Sequence, residues 1–203
     1  MTEIRVLIAD DQALVRAGLA ALLDLEPDIH VVAQAADGHE AVATVRAEPV
    51  DVALLDIEMP GLTGLEATER IVQGGWATRC LMVTTFDRPG YLRRAFDAGA
   101  SGFVVKDTPA AELAEAIRRV HSGLRVVDPA LAEKSLLAGP NPLTPREQDV
   151  LREAARGASA GHVARVLHLS AGTVRNHLSS AIGKTATTNR AEAAAVAARN
   201  GWL

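Results

Sequence analysis

The chain has 203 residues, 48% apolar and 23% charged, the balance of a soluble globular protein with room for one medium and one small domain. Its single cysteine excludes an internal disulfide and a cysteine-rich zinc site. With no signal peptide and no apolar run that spans a bilayer, a cytoplasmic protein without a membrane partner is expected. The net charge of −4 hides an asymmetry: residues 1–140 carry thirteen Lys/Arg against twenty-one Asp/Glu, residues 141–203 eight against four. A basic C-terminal segment points to a polyanionic partner.

Apolar runs predict strands at 4–9, 30–35, 52–56, 80–84 and 102–105. Helical patterns lie between and after them, at 12–25, 38–47, 64–74, 89–98 and 108–121. In the first helix Leu14, Ala17, Ala21 and Leu25 recur at helical spacing, with Leu22 beside them. Pro109 falls in the first turn of the fifth, where a missing N–H does no harm. Strand–helix alternation with short connections predicts an α/β domain over 1–121, a doubly wound five-stranded parallel sheet with helices on both faces. Residues 122–142 read as a linker, with the breaker cluster Gly139-Pro140-Asn141-Pro142 at its end and a short helix from Asp128-Pro129 through Leu137. After Pro142 no strand pattern returns. Helices at 144–155, 159–167, 170–183 and 189–200 predict a second, all-α domain over 143–203.

The strand ends carry the chemistry. Asp10 and Asp11 follow the first run. Asp56 ends the third and precedes Ile57-Glu58-Met59-Pro60-Gly61. Thr84 ends the fourth, and Lys106 follows the fifth. In a parallel sheet these residues converge on one edge, where ligand sites form. Three carboxylates around one point repel one another without a cation, and oxygen ligands suit a hard ion such as Mg²⁺. A lysine and a hydroxyl beside them complete the electrostatic equipment for phosphoryl transfer to a carboxylate. Taken singly, Asp10 or Asp11 also reads as a cap for the helix that begins near Gln12. Cys80, at the edge of a strand, reads as a structural thiol.

On these residues the first 121 positions resemble the receiver domain of two-component response regulators. The resemblance implies that Asp56 accepts phosphate from the histidine of a sensor kinase. It implies that Asp10, Asp11, Asp56 and the backbone carbonyl of Glu58 bind Mg²⁺, that Lys106 pairs with the phosphate, and that Thr84 follows it. Phe103, three residues before the lysine, stands where the family often has a switching tyrosine; without a hydroxyl it implies a packing switch or a plain core aromatic. Asp107 replaces a proline that many receivers carry after a cis bond, which leaves the turn after the fifth strand open. Phe86, in the loop after Thr84, either covers the phosphosite or packs under the loop.

In the C-terminal part, Leu143-Thr144-Pro145-Arg146-Glu147 is a capping-box helix start. Ser170 caps a second helix joined to the one before it by a tight turn around Leu169, which suggests helix-turn-helix. Residues 143–203 resemble the LuxR-type DNA-binding domain, on Leu143–Glu147, Leu169-Ser170, Gly172–His177 and Asn189–Ala193. Together the two resemblances imply a NarL/FixJ-type response regulator. Residues 84–91 with 176–180 are further similar to the DesR-like branch, whose members respond to membrane lipid state.

By this resemblance Arg175, Asn176 and Ser179 face the bases, while Thr173 and Lys184 contact phosphates. Positions 172, 175, 176 and 179 do share one helical face, opposite a core stripe of Val174, Leu178 and Ile182. Arginine reads guanine and asparagine reads adenine in the major groove. His177 reads as a partly buried helix residue. Thr185-Ala186-Thr187-Thr188 departs from the family, where leucine, glycine and a basic residue are common. Ala191, Ala194, Ala195 and Ala198 form a small-residue stripe on the helix that pairs two such domains in the family. The expected partners are therefore a sensor histidine kinase, double-stranded operator DNA, a second copy on phosphorylation, and RNA polymerase. Two rivals stand beside this reading: a phosphorylation-independent DNA-binding regulator with an inactive receiver, and an Asp-nucleophile phosphatase, for which Glu58 would have to replace the usual aspartate two residues after the nucleophile. The chain is otherwise expected not to be an enzyme.

Overall fold

A computed structural model describes residues 3–85, 89–129, 131–133 and 141–203. The chain divides into two compact units, residues 1–87 with 92–132 and residues 133–203 with 88–91. In the first unit, strands β1 (Ile4–Ala9), β2 (Ile29–Ala35), β3 (Val52–Leu55), β4 (Arg79–Thr84), β5 (Gly102–Val105) and β6 (Val126–Val127) form a parallel sheet in the order β2-β1-β3-β4-β5-β6. Helices α1 (Ala13–Leu23), α2 (Gly38–Ala47), α3 (Gly64–Gln73), α4 (Pro89–Asp97) and α5 (Ala110–His121) connect the first five strands or follow them. The sheet thus has a sixth strand of two residues, lying in the stretch expected to be linker.

Side-chain alternation assigns the layers. Val6, Ile8, Leu54, Leu81 and Val104 pack with Ala20 and Leu23 of α1 and Leu113, Ile117 and Val120 of α5. Their neighbours point the other way, as Thr68 of α3 shows by bonding the Met82 sulfur at 3.4 Å. The apolar stripe singled out in α1 is not its core face. Leu14 and Leu25 are 87% and 79% exposed, Ala17 and Ala21 are exposed too, and the buried side is Ala20 and Leu23. Pro109 also sits one step earlier than expected, as the cap residue of α5. No peptide bond among the described residues is cis. Asp128 accepts from the Leu131 N–H at 3.2 Å, opening a helical turn; the continuation to Leu137, like Phe86, lies outside the described residues.

The second unit holds α6 (Pro145–Ala155), α7 (Ala160–Val166), α8 (Ala171–Lys184) and α9 (Arg190–Arg199). Each starts where its sequence provides a cap: Thr144, Ser159, Ser170 and Asn189 all accept backbone N–H bonds, and Thr144 with Glu147 closes a full capping box. The core is Val150, Leu151, Val163, Val174, Leu178, Ala181, Ala193 and Ala197, with Trp202 packed against it.

Candidate functional site

The first site stands at the C-terminal ends of β1, β3, β4 and β5. Carboxylate oxygens of Asp10, Asp11 and Asp56 lie within 4.8 Å of one another. Asp10 and Asp56 are buried, Asp11 exposed. The Lys106 ammonium reaches over from the end of β5 to stand 2.6 Å from Asp10 and 3.0 Å from Asp56. Its position is fixed by the sheet, because the Lys106 N–H donates to the Thr84 carbonyl at 2.8 Å. Thr84 itself is fully buried at the end of β4. The Glu58 side chain is exposed in the turn after β3, and Phe103 is buried within β5, paired in register with Met82.

Local sequence explains why Asp56 is held so closely. The Ile57 N–H donates to its Oδ1 at 2.8 Å. Gly61 turns the chain at φ 73°, in the left-handed region that suits glycine. Gly64 then brings α3 against Asp56: a Cβ there would meet the Asp56 carbonyl oxygen at 1.9 Å. The Asp10 carboxylate also accepts from the Gln12 N–H at 2.8 Å, so Asp10 turns the chain into α1 as well as facing Asp56.

The charges pull against one another. Burial pushes the Asp56 carboxyl up, Lys106 draws it down, the Asp10 charge raises it, and the outcome is a raised carboxyl. Burial alone would lower Lys106, but Asp10 and Asp56 overcome it and hold the ammonium above its ordinary value. The site therefore keeps a fixed cation between two carboxylates. The third carboxylate faces solvent, and an all-oxygen donor set of this kind fits a hard divalent ion. Cys80, by contrast, is buried and pushed up to about 12 by burial, an inert thiol.

The second site is the outer face of α8. Arg175, Asn176 and Ser179 are exposed, Thr173 and Gly172 half-buried, and Val174 and Leu178 buried. His177 is half-buried. The Thr173 hydroxyl lies 2.9 Å from that of the cap Ser170. Lys184 is engaged within the unit rather than free: its ammonium is 2.7 Å from Glu147 Oε2. Glu147 also accepts from Ser180 Oγ at 2.6 Å and the Thr144 N–H at 2.7 Å. Sequence reasoning found Glu147 only as a capping residue; its hold on α8 depends on packing between residues 33 and 37 positions apart. In α9, Ala194 is buried, whereas Ala191, Ala195 and Ala198 are exposed.

Comparison with known proteins agrees with both halves. Residues 6–118 match the response regulator receiver domain, and residues 141–197 match the luxR family of bacterial regulatory proteins. The chain is 44% identical over 201 residues to the uncharacterized transcriptional regulatory protein YvfU of Bacillus subtilis, covering 98% of this chain and 100% of that one. It is 43% identical over 200 residues to the transcriptional regulatory protein DesR of the same organism, covering 98% and 99%. Among solved structures, the response regulator ChrA of a heme-sensing two-component system matches with a TM-score of 0.61 and 32% identity over the full length of both chains. An RcsB–DNA complex matches with a TM-score of 0.70 over 96% of this chain and 99% of that one, and at 22% identity it speaks for the fold alone.

Proposed function

The chain belongs to the two-component response regulators that join a receiver domain to a LuxR-type DNA-binding domain, and from this premise we propose that it is switched by phosphorylation of Asp56. An Asp56 carboxylate oxygen bonds to phosphorus as the bond from phosphorus to a sensor-kinase histidine breaks. Lys106 meets the arriving phosphoryl oxygens, exchanging part of its hold on Asp56 for them. Asp10, Asp11, Asp56 and the Glu58 carbonyl are the groups that would hold Mg²⁺, which supplies charge neutralisation for the phosphoryl group. Thr84 follows the phosphate, and Phe103 transmits the change by packing. The receiver acts only on its own phosphorylation and dephosphorylation and turns over no external substrate.

The phosphorylated protein dimerises and binds a roughly palindromic operator in the cytoplasm. Arg175, Asn176 and Ser179 read the bases, Thr173 contacts a phosphate, and Lys184 shares its charge between Glu147 and the DNA backbone. RNA polymerase is the downstream partner. We set the receiver at 1–121, the linker at 122–142, with the short edge strand in its first part, and the DNA-binding domain at 143–203.

The observation that carries this reading is the convergence of Asp10, Asp11, Asp56 and Lys106 at one strand-end site. Incubation with Mg²⁺ and acetyl phosphate, followed by intact mass, tests it. Wild type should gain one phosphoryl group and Asp56→Asn none. An unmodified wild type would favour the phosphorylation-independent regulator.

A further inference from the structure

The turn between β1 and α1 carries two of the three acids, and an arginine holds it from the helix side. Arg16, one turn into α1, folds back so that its guanidinium donates to the Asp10 backbone carbonyl at 2.5 Å. The Arg16 N–H meanwhile donates to the Gln12 carbonyl at 3.0 Å, and the Asp10 N–H donates to Ala35 of β2 at 3.2 Å. Arg16 thus spans the turn whose ends are fixed by the helix and the sheet.

Its choice of partner is informative. Asp11, the next residue after Asp10, offers an exposed carboxylate, a stronger acceptor for a guanidinium than a neutral carbonyl. Arg16 forms no ion pair with it among the described residues. The Asp10 carboxylate is left to Lys106 and the Gln12 N–H. An arginine present only to dilute negative charge would sit on a carboxylate. One that bonds the backbone fixes the shape of the turn and leaves the acidic oxygens available.

We propose that Arg16 is a positioning residue for the divalent cation: by pinning the Asp10 carbonyl it holds the β1–α1 turn in the form that directs Asp10 and Asp11 toward Asp56. This rests on the phosphoacceptor reading above. The alternative, a purely electrostatic role, predicts the opposite sign. Removing a positive charge beside three carboxylates should tighten a cation, whereas loosening the turn should weaken it.

The test is Mg²⁺ titration of the unphosphorylated full chain by calorimetry, for wild type, Arg16→Met and Arg16→Lys, with thermal melts as a control for folding. Arg16→Met keeps the aliphatic stem and removes the donors. Its Mg²⁺ affinity should fall about tenfold, the low end of the cost of losing an outer partner of a metal site. Arg16→Lys, which keeps the charge and a single flexible donor, should fall between. The phosphorylation rate with acetyl phosphate should need more Mg²⁺ for half-saturation yet recover at saturation. Unchanged or tighter binding in a folded Arg16→Met would overturn the proposal while leaving the phosphoacceptor reading intact. A wild type that binds no Mg²⁺ would overturn both. If Arg16→Met fails to fold, the Arg16→Lys titration decides: wild-type affinity there would sink the positioning role.

Discussion

On the proposed reading Asp56 must be ionised to accept a phosphoryl group, yet it is only 5% exposed and has a second carboxylate beside it. Burial raises its carboxyl group, so the folded state holds the proton more tightly than the unfolded chain does. The fold therefore loses stability as pH rises from the ordinary carboxylate range through the raised value, and the loss persists at neutral pH. Asp56→Asn removes it. The variant should melt higher than wild type at pH 7 in the absence of Mg²⁺, by roughly 2–4 °C for each kcal/mol relieved. The difference should vanish below the carboxylate range. A variant that melts lower at pH 7 would show that the Lys106 contact outweighs burial. At this scale the sequence was informative because the residues declare themselves jointly. One acid after a strand reads as an ordinary cap, but Gln12 holds the cap position of α1 with no side-chain cap bond, and Asp10 only turns the chain there by accepting from the Gln12 N–H. Acids, hydroxyl and lysine at four strand ends are not explained by capping.

The helices show where local pattern succeeds and where it stops. Caps are written in adjacent residues, so Thr144 and Ser170 were legible, whereas Asn189, expected inside the last helix, proves to be its cap. The buried side of α1 was not, because Ala13–Leu23 is apolar around much of its circumference and offers two stripes at helical spacing. Contact with the sheet selects Ala20 and Leu23, a choice that periodicity alone does not contain. The same holds for Glu147. Its carboxyl is drawn down to about 2: burial opposes this, but Lys184, Ser180 and Thr144 together prevail. Its contribution to stability is thus present above about 4.5 and lost as pH falls toward about 2. In a Trp76→Phe background, Trp202 fluorescence reports on the C-terminal unit. Unfolding followed this way should show that acid loss in wild type and not in Glu147→Gln. Glu147→Ala should cost about 2–4 kcal/mol at neutral pH, since it strands Lys184 and uncaps α6. The turn after α8 carries a different strain. Ala186 sits at φ 53°, where an L side chain costs about 1 kcal/mol or more, and it is exposed. Ala186→Gly should stabilise the unit by about 0.5–1 kcal/mol in denaturant melts. The departure of Thr185–Thr188 from the family's glycine-containing pattern thus has a physical cost in the fold.

Across the whole molecule, element order and the strand-end site were legible because apolar runs and strand–helix alternation constrain a parallel sheet strongly. The edge strand β6 was not, since two residues carry no period. The charge asymmetry between the acidic front and basic back fits a molecule with two tasks, a phosphorylation switch and a polyanion-binding output. On the proposed reading, chemistry at Asp56 joins them by changing how copies associate, which raises the local concentration of a second DNA-binding domain. The most direct measurement is molar mass by light scattering, with and without Mg²⁺ and beryllofluoride, for wild type and Asp56→Asn. The account predicts a wild-type monomer that becomes a dimer only with both additions, and an Asp56→Asn protein that stays monomeric. A wild type that carries the modification on Asp56 and remains monomeric would contradict it.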